Sequence, residues 1–107
     1  MKRHHILVFT GVLLLLTPAV MAKETARQVW VQAKCALCHG LDGSSQTDTG
    51  RKVQAPDLRT PQTQKRTDDE LAKNIAGGHK KMPSFEKQFA AEKVRLLVEY
   101  IRGLAPK

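Results

Sequence analysis

Two thiols and an imidazole fall within five residues, Cys35-Ala36-Leu37-Cys38-His39. On one helical turn, side chains at i and i+3 leave the same face, so both sulfurs can reach one edge of a flat group. The next residue can then turn its imidazole beneath that group's centre. C-x-x-C-H is the attachment signature of c-type haem, with thioether bonds to two vinyl carbons and histidine on the iron. The pattern therefore assigns the thioether bonds to Cys35 and Cys38 and iron ligation to His39. One motif means one haem. Three other chemistries share parts of this set. A redox C-x-x-C pair needs a thioredoxin-like βαβ setting, and no clear strand is present. A zinc site could recruit Cys35, Cys38, His39 and the distant His79, but structural zinc sites present two spaced ligand pairs. A plain disulfide would close an unusually short loop.

Iron held by one histidine keeps its sixth position open or fills it with Met, His or another group. Past residue 22 the chain has one methionine, Met82, 43 residues after His39, within Gly77-Gly78-His79-Lys80-Lys81-Met82-Pro83-Ser84-Phe85. His79 is a rival ligand three residues earlier. Lys80 and Lys81 flank the same position.

The chain resembles the class I cytochromes c of the short bacterial monohaem type. The residues that carry the resemblance are C-x-x-C-H, a Gly-rich turn and Met-Pro-x-Phe, and it spans essentially all of residues 23–107. It implies an all-α fold of three or more helices wrapped around one covalently attached haem c. It implies that Met82 is the distal axial ligand through its thioether sulfur. It also implies that Pro56, in Ala55-Pro56-Asp57-Leu58, turns its carbonyl toward the His39 Nδ1 proton, as partners of ligating histidines do. In such a fold the C-terminal helix crosses the N-terminal one, with Trp30 and Tyr100 near the contact.

The elements that must position these groups are visible in part. Residues 23–34 lack Gly and Pro and place Ala26, Val29, Trp30 and Ala33 at helical spacing. Thr67-Asp68-Asp69-Glu70 reads as a capping box, Leu71 and Ile75 follow one turn apart, and Gly77-Gly78 stops that helix. Residues 91–104 give the strongest helical pattern, with Val94, Leu97, Val98, Ile101 and Leu104 in one stripe. Ala90 precedes it where a capping Ser, Thr or Asp is common. Residues 40–66 show no helix or strand pattern. A stretch that long without structure needs a reason, and packing on the porphyrin supplies one.

The N-terminus reads as an export signal. Lys2 and Arg3 precede an apolar run over residues 6–16, followed by Pro18 and the small-residue site Val20-Met21-Ala22. The run is well short of the roughly 20 apolar residues that span a bilayer. Cleavage after Ala22 would leave residues 23–107, with no stable membrane insertion. Export suits the motif, because c-type haem is attached outside the bacterial inner membrane, and it places the protein in the periplasm.

The formal charge of the 107 residues is +8. Removal of residues 1–22 takes away Lys2 and Arg3 and leaves +6. Two ionised haem propionates bring this to about +4. A domain this small buries little surface and needs a staple, and haem provides it. No Ser–His or Cys–His nucleophile pair and no paired carboxylates stand beside the motif, so the chain does not read as an enzyme. The expected function is electron transfer, with iron cycling between Fe(II) and Fe(III). Lys34, Lys80, Lys81 and Lys87 could form a basic ring that steers acidic redox partners. Nucleic acid is not an expected partner. Two alternatives are a dedicated cytochrome subunit of a larger oxidoreductase and a ligand-binding or peroxidase-like haem protein.

Overall fold

The computed structural model describes residues 3–4, 6–13 and 23–106. Six helices follow in order: α1 (Ala26–Gln32), α2 (Cys35–His39), α3 (Asp48–Val53), α4 (Pro61–Gln64), α5 (Asp68–Gly77) and α6 (Ala91–Gly103). Among the described residues the only extended pairing is an isolated bridge between His79 and Met82. The fold is all-α, as expected.

The helix starts follow local chemistry. The Thr25 side chain accepts from the Gln28 amide, and the Gln28 side chain accepts from the Thr25 amide. This capping box satisfies two orphan donors at once, and it places the start of α1 three residues later than the apolar spacing alone implies. At α5, Thr67 accepts from the Glu70 amide. Three acidic residues in that first turn complement the positive end of the helix. Helix α6 begins at Ala90 with no side-chain cap. Its stability rests on the stripe that it buries.

That stripe is the centre of the molecule. Val94, Leu97, Val98 and Ile101 of α6 pack against Val29 and Trp30 of α1, its C-cap residue Ala33, and Leu71 and Ile75 of α5. Leu97 is completely buried. Truncating such a residue to alanine costs about 2–5 kcal/mol. A second set of contacts fastens α4 and α5 to the end of α6. The Arg102 guanidinium donates to Asp68 at 2.8 Å and to the carbonyls of Gln64 and Arg66. The Gln64 amide spans the Leu58 and Ile101 carbonyls at 2.8 and 3.0 Å.

The expectation of an unstructured stretch over residues 40–66 is corrected. Two short helices, α3 and α4, lie within it. Each starts at a threonine: Thr47 accepts from the Gly50 amide, and Thr60 precedes Pro61 at the first helical position. The chain in this region therefore has internal order of its own.

Residues 6–13 form no helix or strand, and side chains such as Ile6, Phe9 and Leu13 are almost fully exposed. Among the described residues no helix is long and apolar enough to cross a membrane. The expected cleavage site, Val20-Met21-Ala22, lies outside the described residues.

Candidate haem site

The site is built on a break between two helices. Lys34 adopts a left-handed conformation, φ 63°, which ends α1 and reorients the chain so that α2 starts at Cys35. Cys35, Cys38 and His39 all lie on this single turn and are half-buried. Cys35 and Ala36 pack against the core formed by α1, α5 and α6.

A helix of five residues cannot satisfy its own carbonyls, and here the rest of the chain does so. The Gly40 amide donates to the Ala36 carbonyl at 2.9 Å. The Thr47 hydroxyl is shared between the Leu37 and Cys38 carbonyls at 2.7 and 3.1 Å. The Ser45 amide donates to the His39 carbonyl at 2.9 Å. Trp30 Nε1 donates to the Gly40 carbonyl at 3.0 Å, and the Tyr100 hydroxyl donates to the Leu41 carbonyl. Trp30 and Tyr100 stack with ring centroids 4.6 Å apart, and the Trp30 ring also lies 6.0 Å from that of His39. Both aromatics thus stand at the α1–α6 contact, and both are tied to the chain just past the histidine.

The His39 ring is held at its Nδ1 edge. Nδ1 lies 3.3 Å from Ser45 Oγ, and that hydroxyl donates to the Pro56 carbonyl at 2.6 Å. A hydroxyl has one proton. Because the Ser45 proton goes to Pro56, Oγ faces Nδ1 as an acceptor, and the neutral ring carries its proton on Nδ1. The Nε2 lone pair is then free to bind a metal. In this geometry the serine proton is directed at Pro56 and not at the imidazole, so the pair is not arranged as a Ser–His nucleophile. Burial pushes the His39 pKa down, and the nearby Pro56 carbonyl opposes that shift. Ser45 was not singled out from the sequence. Its place is set by a loop conformation, and no local pattern marks it.

Met82 sits in a tight turn. Its amide and carbonyl pair with those of His79 at 2.9 and 3.1 Å, and Lys80 at φ 52° closes the turn. Gly78 has φ +76°, and an added Cβ would lie 2.9 Å from the Met82 carbonyl oxygen and the Ser84 amide. The turn is anchored to the end of α5 through the Ala76 carbonyl, which accepts from the Ser84 hydroxyl at 2.6 Å and from the amides of Phe85 and Glu86. The Met82 side chain is half-buried against the same core that Cys35 joins. His79, Lys34, Lys80, Lys81 and Lys87 are exposed.

These residues fit a covalently attached haem on donor chemistry. Two thiols lie on one helical face, followed by an imidazole with a free Nε2. Burial raises the Cys35 thiol to about 11, which is the reverse of the acidic thiol found in redox C-x-x-C pairs. Among the described residues no cluster of three or more His, Cys, Asp or Glu side chains is placed to hold a bare metal ion. The arrangement is that of a class I cytochrome c.

Comparison with known proteins agrees. Residues 22–101 match the family described as Cytochrome C oxidase, cbb3-type, subunit III, and the chain belongs to that family. A solved structure described as KustC0563 c-type cytochrome superposes with a TM-score of 0.70 at 28% identity, over 78% of this chain and all of that one. No curated protein matches the chain. The chain is thus a cytochrome c domain that binds haem covalently and transfers electrons through it.

Proposed function

We propose that the protein is a periplasmic, single-haem electron carrier whose iron is held by His39 and Met82. The observation that carries this reading is the His39 ring itself, which is fixed through Nδ1 and left with Nε2 available. When bound, the haem supplies an iron that gains and loses one electron. The chain does the rest. Cys35 and Cys38 would hold one edge of the group, and His39 and Met82 sit in turns braced by backbone hydrogen bonds. Fixed ligands keep the geometry similar in both oxidation states, which favours electron transfer over substrate binding. A soft thioether ligand raises the potential relative to nitrogen ligands.

Replacing Met82 by Ala tests this assignment. The variant is expected to lose the weak red sulfur-to-iron band of the ferric protein, show a lower potential and bind carbon monoxide rapidly when ferrous. An unchanged spectrum and potential would remove Met82 from the iron.

The family description supports a second reading, a dedicated cytochrome subunit of a larger oxidoreductase. Native size-exclusion separates the two. A free carrier elutes near the mass of one domain, and stable co-elution with an enzyme would favour the subunit.

A further inference from the structure

Ser45 lies outside the C-x-x-C-H signature, yet it grips His39 at both ends. Its amide binds the His39 carbonyl at 2.9 Å, and its Oγ lies 3.3 Å from His39 Nδ1. The same Oγ donates to the Pro56 carbonyl at 2.6 Å. The residue is buried, and its backbone is left-handed at φ 62°. Glycine adopts that conformation without strain, so the backbone gives no reason for a serine. The hydroxyl does. The Pro56 carbonyl also lies near the imidazole, but the hydrogen bonds that connect the two run through Ser45 Oγ.

We propose that Ser45 is a positioning residue for the iron ligand: its hydroxyl relays the Pro56 carbonyl to the His39 Nδ1 proton. Donation to a carbonyl makes a hydroxyl oxygen a better acceptor. The relay therefore fixes the ring tautomer and orientation and strengthens Nε2 as a donor. A stronger donor favours the ferric state, so the relay holds the potential down. The proposal rests on ligation by His39.

Two variants of the holoprotein test it. Ser45→Gly and Ser45→Ala both remove the hydroxyl, but glycine relieves the left-handed strain and alanine does not. Both are expected to raise the potential and to speed exchange of the His39 Nδ1 proton, followed by NMR in the ferrous protein. Thermal stability is expected to separate them, with Ser45→Gly the more stable. An unchanged potential in both variants, a fall in potential, or a shift confined to Ser45→Ala would overturn the proposal. A wild-type protein without a six-coordinate, low-spin spectrum would instead overturn the ligation on which it rests. The wild-type spectrum thus distinguishes the two failures.

Discussion

Gly50 and Trp30 both act on the backbone of the haem-binding turn, one by what it lacks and the other by what it donates. A Cβ on Gly50 would be driven into the carbonyl oxygens of Cys38 and Ser45, and backbone atoms cannot give way as a flexible side chain can. Gly50→Ala is expected to destabilise the holoprotein by about 3 kcal/mol, read by denaturant unfolding, and to lower the fraction that carries haem. Trp30→Phe keeps most of the apolar contact but leaves the Gly40 carbonyl without its buried donor. The expected cost is about 1–3 kcal/mol, read in the same experiment. The candidate attachment site was legible in the sequence because Cys35, Cys38 and His39 lie within five residues. Ser45 was not, because its contact with Pro56 spans 11 residues and depends on a left-handed turn.

At the scale of elements, legibility followed length. Helix α6 repeats its apolar stripe often enough to be read directly, and its uncapped start at Ala90 was visible as well. Helices α3 and α4 have six and four residues, too few for a helical period to emerge, so only Thr47 and the Thr60-Pro61 pair announce them. The loops on either side of α3 also carry a pH dependence. The Ser44 amide and hydroxyl hold the Asp42 carboxyl below its usual 3.8, and Arg59 does the same for Asp57. Carboxylates with depressed values stabilise the fold fully above their unfolded pKa, and the contribution is lost as pH falls through the folded value. Asp42 is exposed and Asp57 only half-buried, so the effect is modest. Melting temperature is expected to fall more steeply below about pH 4 in the wild type than in Asp42→Asn. Parallel curves for the two proteins would remove Asp42 from the acid response.

Across the whole molecule, much of the basic excess among the described residues lies on exposed side chains, among them Lys34 beside the haem turn and Lys80 and Lys81 in the Met82 turn. If these lysines steer an acidic partner, the bimolecular rate falls as salt rises, since screening sets in over about 8–10 Å at ordinary ionic strength. Lys80→Glu with Lys81→Glu is expected to slow the reaction and flatten that dependence, as followed by stopped-flow. A rate indifferent to salt would leave the lysines as scattered solubilising charge.

In the proposed carrier, one iron with both axial positions filled by the chain moves electrons singly. An anaerobic redox titration of the holoprotein, followed optically and with carbon monoxide present in a parallel ferrous sample, tests it most directly. One reversible one-electron wave is expected, with low-spin spectra in both states, the weak red band in the ferric state and no rapid carbon monoxide binding. More than one wave, a high-spin ferric spectrum, or prompt carbon monoxide binding by the wild-type ferrous protein would contradict it.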